Sequence, residues 1–271
     1  MTQQELRQIS YETLSVIAGE NYSVNGRTYN MRAMVLDMVD ETVLYKPYDT
    51  IAYFPGTPMK PKYYLYNMTT IGAILKCQAL LNQRIGVLNF ASAIKAGGGW
   101  LNGKVAQEED IMRKTNAFVS LLSQDEFYVN HSPLEPIYTD SIIYTRNASI
   151  IRDDDFNFIR PKPINLYTCA AVNVTEIKKK NPQYSSVNDM YNRIYRILNL
   201  MASNNEETLV LGAFGCGVFG NNPTEIAKIF HDILIYKDLE DEFKNIIFAV
   251  YDTNPLQQNY NAFKNEFYDR L

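Results

Sequence analysis

Two adjacent carboxylates, Glu108 and Glu109, follow a glycine triplet, Gly97-Gly98-Gly99, with seven residues between Gly99 and Gln107. Paired carboxylates can donate and recover a proton, because burial and mutual repulsion raise one of the two pKa values toward neutrality. Glycines without a Cβ can turn backbone N–H groups toward an anion at close range, and a helix start adds partial positive charge there. The two features fit awkwardly around a phosphate. Two glutamates repel it unless one does chemistry or both face an uncharged part of the ligand. A plainer reading is a tight strand-to-helix connection whose glutamates complement the helix dipole.

A second glycine-rich run, Gly215-Cys216-Gly217-Val218-Phe219-Gly220, lies far downstream. Cys216 sits between glycines in the manner of an exposed nucleophile, yet neither His131 nor His231 is placed to activate it, so its expected role is structural. Gly98, Gly103 and Lys104 reproduce most of the phosphate-binding pattern Gly-x-x-x-x-Gly-Lys-[Ser/Thr], and Ile246 to Tyr251 reads as a strand ending in a metal-binding Asp252. This P-loop nucleotidase reading fails at Val105, which has no hydroxyl for Mg²⁺, and leaves Gln107-Glu108-Glu109 unexplained. Cys77, Cys169 and Cys216 are too widely spaced for a disulfide framework or a metal site, so neither a metal nor a cofactor is expected.

The elements that position these residues follow from periodicity. Ile85 to Phe90 is apolar and bounded by glycine, a buried strand, and Val105 to Leu122 carries apolar residues at helical spacing, so Gln107, Glu108 and Glu109 fall in a first helical turn. Further strands are expected at Tyr63 to Met68, Ser141 to Thr145, Ile164 to Ala170, Thr208 to Ala213 and Ile246 to Tyr251. Helices are expected over residues 2–20, 70–81 and 187–202, from Pro223 to Tyr236 and from Leu256 to Phe267. Met34-Val35-Leu36 and Thr42 to Tyr45 read as short strands. The stretch holding Pro47, Pro55, Pro58 and Pro61 reads as loop, as does 147–163 with its Asp153-Asp154-Asp155 run. Alternating strands and helices argue for an α/β sandwich with a mostly parallel sheet, and ligands of such sheets lie beyond the carboxyl ends of the strands. Both glycine-rich loops leave strands at that end and can grip one diphosphate from two sides.

The chain has 271 residues, a net charge of −4 and 46% hydrophobic content, which suits one globular domain. Its pI near 5.4 does not suit a protein that tracks a nucleic acid along a basic surface, since such binding needs many Lys and Arg contacts to phosphate. Lys178-Lys179-Lys180 reads as the solvated end of a helix or loop. Twenty Tyr and thirteen Phe are enough to line a nucleotide pocket as well as a core. No apolar run approaches the ~18 residues of a membrane span, and the amino terminus carries no apolar signal segment. A soluble, intracellular protein in a reducing compartment is expected, with no membrane partner and no sequence-specific nucleic-acid binding.

Gly97-Gly98-Gly99, seven residues and Gln107-Glu108-Glu109 resemble the catalytic signature of the poly(ADP-ribose) glycohydrolases. Leu88-Asn89-Phe90-Ala91-Ser92 is similar to the strand that leads into that signature in the microbial-type members. Arg152 to Asp155, Tyr167 to Asn173, Gly212 to Asn221 and Val250-Tyr251-Asp252 are similar to family segments in the same order. The resemblance implies a three-layer α/β/α macrodomain with a mixed, mostly parallel sheet over 63–271 and an N-terminal helical extension, 1–62, packed on it. It implies hydrolysis of ribose–ribose O-glycosidic bonds in poly(ADP-ribose) and poly(ADP-ribosyl)ated proteins, with Glu109 as the acid and Glu108 orienting ribose hydroxyls. It also implies substrate contacts from Asn89, Gly97, Gly98, Gly99, Gln107, Gly215, Cys216, Gly217, Val218 and Phe219. A macrodomain that only reads ADP-ribose is the alternative on the same fold, and the intact Gln107-Glu108-Glu109 argues against it.

Overall fold

The computed structural model describes residues 1–52, 55–77, 83–131 and 135–271. At its centre is a seven-stranded sheet ordered β3 (Val43–Tyr45), β6 (Ile142–Arg152), β7 (Phe158–Cys169), β5 (Ile85–Phe90), β8 (Thr208–Leu211), β9 (Asn245–Ala249) and β4 (Lys62–Tyr66). The β7-β5-β8-β9-β4 pairings are parallel, and β3 and β6 add antiparallel neighbours at one side. The parallel strands read as near-continuous apolar runs because helices cover both faces. Their side chains alternate between two cores. Leu88, Leu209, Leu211, Ile246 and Phe248 enter one, and Val87, Val210 and Ile247 enter the other.

The first core is capped by α8 (Val187–Ser203), α9 (Pro223–Leu234) and α10 (Gln258–Glu266), and the second by α2 (Met31–Asp40), α3 (Thr70–Lys76), α4 (Gln107–Lys114), α5 (Phe118–Leu122) and α6 (Asp125–His131). A short α7 (Val174–Ile177) precedes the lysine run, whose Lys179 pairs with Glu176 in solvent, as its charge requires. Outside the sheet lie α1 (Gln3–Ala18), started by a Thr2–Glu5 capping box, and the hairpin β1 (Asn21–Val24) and β2 (Arg27–Asn30), turned by Asn25-Gly26 with both φ positive.

Three expectations are corrected. Met34-Val35-Leu36 lies in α2, capped by the Asn30 side chain, because Met31 and Met38 meet the core at helical spacing. The helix expected from Val105 to Leu122 is two segments, α4 and α5, broken where Thr115 turns its hydroxyl onto the Ile111 carbonyl and bridges to Ile150. Residues 147–163 are no loop: they extend β6 and β7 into a long hairpin whose turn holds Asp153-Asp154-Asp155. Pro161 and Pro163 are tolerated because β5 pairs with β7 only from Asn165 onward, so one side of the outer half needs no ladder donor. Of the helix expected over 70–81, the structure shows Thr70–Lys76, and residues 78–82 lie outside the described residues. The Asn21–Asn30 hairpin went unread, although Asn-Gly is the sequence signal for such a turn.

Candidate active site

Strands β5 and β8 are neighbours, so the two glycine-rich loops leave the sheet side by side at its carboxyl end. A cleft of about 600 Å³ opens there, lined by Ala91 and Ser92 after β5, Gln107 to Asp110 at the start of α4, Gly215 and Gly217 to Phe219 after β8, and Val250 and Tyr251 after β9. Glu108, Glu109 and Asp110 all fall in the first turn of α4, where they complement the helix dipole.

Each residue of the Gln107-Glu108-Glu109 triplet has a different setting. Gln107 Oε1 accepts the Phe90 N–H at 2.9 Å while its Nε2 donates to the Leu88 carbonyl at 2.8 Å and to Thr70 Oγ1 at 3.1 Å, clamping α4 to the end of β5. Glu108 is 2% exposed; its Oε2 accepts the Ser92 N–H at 2.8 Å and its Oε1 the Asn89 Nδ2 at 3.3 Å. Burial, opposed by the Ser92 N–H and reinforced by the adjacent Glu109 charge, pushes the Glu108 carboxyl up to about 8. Glu109 is half-buried, and its Oε1 accepts the Gly99 N–H at 2.9 Å. Its Oε2 has no hydrogen-bond partner among the described residues. The carboxyl raised toward neutrality is therefore Glu108, and the carboxyl with an oxygen to spare is Glu109.

The glycine triplet serves these carboxylates. The Gly98 N–H donates to the Lys95 carbonyl at 2.9 Å, the Gly99 N–H donates to Glu109, and the Gly97 amide faces Glu108. In this arrangement the Gly98 and Gly99 N–H groups, expected with Gly97 to grip a diphosphate, are taken by Lys95 and Glu109. Loop two differs. Its carbonyls are tied down, with Phe219 O and Val218 O accepting from the Thr175 N–H and hydroxyl, and Asn221 Nδ2 bonds the carbonyls of Val172 and Gly215. The N–H groups of Gly215, Gly217, Val218 and Phe219 have no acceptor among the described residues.

Of the other expected contacts, Val218 and Phe219 line the cleft and Asn89 and Cys216 lie behind its wall. Asn89 is fully buried, holding Glu108 and Thr168 Oγ1 with its Nδ2 while its Oδ1 has no partner. The Cys216 thiol packs against the core and donates to the Phe214 carbonyl at 3.7 Å; burial drives its pKa far up, as an inert cysteine requires. Val218 is 83% exposed at the rim, and Phe219 is half-buried with its ring 6.2 Å from Tyr138. Asp252 does not present a metal ligand: its carboxylate accepts the N–H groups of Asn254, Asn259 and Tyr260, capping the start of α10. That disposes of the nucleotidase reading. Among the described residues no group of three His, Cys, Asp or Glu could hold a metal ion, and no helix is long and apolar enough to cross a membrane.

Sequence reasoning missed the buried cation beneath the site. Arg113 is 2% exposed and donates to the Trp100 and Lys104 carbonyls, on either side of Gly103, and to Ser10 Oγ of α1. The signal available was in α1, where Ser10 and Thr13 share the buried stripe with Leu6 and Ile17, small polar residues on an apolar face that must meet a polar partner.

A mixed α/β/α sheet domain with a glutamate pair on a helix start beside a donor-lined loop has the architecture of a macrodomain hydrolase. The model for the microbial-type PARG catalytic domain matches residues 10–153, and the chain belongs to that family of poly(ADP-ribose) glycohydrolases. Among solved structures, poly(ADP-ribose) glycohydrolase from Thermomonospora curvata is 29% identical with a TM-score of 0.88, the match covering 97% of this chain and 100% of that one. The same enzyme bound to the inhibitor ADP-HPD is 28% identical with a TM-score of 0.87 over the same shares. The enzyme from Deinococcus radiodurans in complex with ADP-ribose is 28% identical with a TM-score of 0.79, covering 92% of this chain and 100% of that one. No curated protein matches the chain.

Proposed function

We propose that this chain hydrolyses the ribose–ribose O-glycosidic bonds of poly(ADP-ribose), free or attached to proteins, and releases ADP-ribose, with Glu109 as acid and then base. The observation that carries the assignment to Glu109 is its free Oε2 at the cleft wall beside a Glu108 whose two oxygens are engaged. Glu109 delivers a proton to the leaving ribose oxygen as the bond opens through an oxocarbenium-like state. The carboxylate left behind then takes a proton from the attacking water, which restores the acid.

Burial pushes the Glu108 carboxyl up toward neutrality, which eases the conflict between two glutamates and a phosphate. Glu108 orients a ribose hydroxyl from the cleft floor, and Asn89 acts by holding it. The diphosphate lies on the free N–H groups of Gly215, Gly217, Val218 and Phe219, a backbone anion site of the kind that needs no lysine. The Phe219 ring and Val218 close the ribose side and exclude water. Residues 1–62 and 63–271 act as one structural unit, since β3 completes the sheet edge and Ser10 of α1 reaches Arg113. Three free cysteines suit a reducing, intracellular compartment.

Incubation with automodified poly(ADP-ribosyl)ated protein, resolving free ADP-ribose from released oligomers, tests this reading. Time-dependent release of ADP-ribose is expected. Undiminished polymer that the protein nevertheless binds would identify a reader domain.

A further inference from the structure

Loop one is held from below by the amino-terminal helix. Ser10 Oγ, fully buried, lies 2.7 Å from the Trp100 carbonyl and accepts the Arg113 Nε at 3.0 Å. The Arg113 Nη2 donates to the same carbonyl at 3.1 Å and to the Lys104 carbonyl across the turn. Thr13 Oγ1 donates to the Arg113 carbonyl at 2.9 Å, and Gln3 Nε2 to the Asn102 carbonyl at 2.8 Å. The fit is close: a Cβ on Gly103, whose φ is +74, would lie 2.3 Å from the Gln3 carbonyl oxygen. Arg113 has no carboxylate within ion-pair distance among the described residues. A buried guanidinium without an ion pair is costly unless its donors find partners, and here carbonyls of loop one and a serine of α1 take its Nη2 and Nε donors.

Resting on the glycohydrolase reading above, we propose that Arg113 and Ser10 are positioning residues for the reaction. Together they set the shape of the Trp100–Lys104 segment and so place the Gly97 and Gly99 amides that hold Glu108 and Glu109. The amino-terminal helix is then part of the active-site machinery, although none of its residues lines the cleft. Because loop one grips the carboxylates and loop two offers the free donors, loosening loop one acts on turnover and spares ligand binding.

The test measures kcat and KM on poly(ADP-ribose), ADP-ribose Kd by calorimetry and thermal unfolding for the parent, Ser10→Ala and Arg113→Lys. The lysine keeps the charge but cannot fork across the Trp100 and Lys104 carbonyls while also reaching Ser10. Both variants are expected to lose about tenfold or more in kcat, the scale on which misplacement of a reacting group is felt. KM and Kd should stay within about threefold of the parent, with one unfolding transition. Parental kcat in Ser10→Ala overturns the proposal, as does a Kd that weakens in step with kcat, the mark of a general structural role. If Arg113→Lys does not fold, Ser10→Ala decides alone. A parent that releases no ADP-ribose fails the glycohydrolase reading instead, and the positioning role falls with it.

Discussion

Glu109 Oε1 accepts the Gly99 N–H at 2.9 Å, so a backbone donor ten residues earlier in the chain holds one oxygen of the carboxylate and leaves the other to the cleft. The carboxylate is thereby fixed in direction before any substrate arrives, which is how a proton donor comes to be placed at the right oxygen. The Gly98 backbone makes this approach possible. Its φ is +58, and a Cβ there would lie 2.6 Å from Glu109 Oε1 and 3.1 Å from Glu108 Oε2.

Gly98→Ala should therefore act on turnover more than on stability or binding. The strain of a left-handed alanine is about 1–2 kcal/mol, a fall in Tm of a few degrees at this chain length, while Glu109 is displaced and kcat drops by about tenfold or more. Steady-state kinetics beside a melting curve decide it. A variant with parental kcat would mean that Glu109 need not sit where the structure places it.

Glu108 gives a pH signature to stability. Its carboxyl is raised by burial from 4.5 to about 8, so its contribution is fully present below about 4.5 and is lost as pH rises through about 8. Glu108→Gln removes that dependence, because an amide does not ionise. Across pH 5 to 8 the Tm of the variant should gain steadily on that of the parent, and parallel Tm profiles would show that Glu108 is already ionised in the folded protein.

Phe219 tests the ribose side. Its main chain is tied to Thr175 and its half-buried ring packs near Tyr138, so Phe219→Ala should keep the fold and weaken ADP-ribose binding by on the order of 1–3 kcal/mol. Calorimetry on a variant that melts normally settles this. Unfolding instead would make the ring a core anchor.

The strand, loop and helix start around Gly97-Gly98-Gly99 and Gln107-Glu108-Glu109 were legible because glycine, periodicity and adjacent charge each leave a local mark. The fate of loop one's donors was not. A glycine triplet advertises available N–H groups, but whether a phosphate or a nearby carboxylate takes them depends on where Glu108 and Glu109 point. The long hairpin was obscured by Pro161 and Pro163, which argue against a strand unless one edge is known to be unpaired. Met34-Val35-Leu36 is too short an apolar run to separate strand from helix by period. Arg113 reads as an ordinary polar residue of a surface helix until α1 is seen to cover it.

On the proposed reading the proton donor is a protein carboxyl and the diphosphate lies on backbone N–H groups, so the reaction should need no divalent ion. EDTA should leave the rate of ADP-ribose release unchanged. A loss of more than about tenfold, restored by Mg²⁺, would put a Lewis acid in place of Glu109.

The most direct measurement is the turnover and ADP-ribose affinity of Glu109→Gln, which keeps the size of the side chain and an oxygen to accept the Gly99 N–H but cannot give or take the proton. The rate of ADP-ribose release from poly(ADP-ribose) should fall by about 10²–10⁴-fold. The Kd for ADP-ribose, set mainly by the loop-two amides, should stay within about tenfold of the parent. Near-parental turnover in Glu109→Gln would contradict the account.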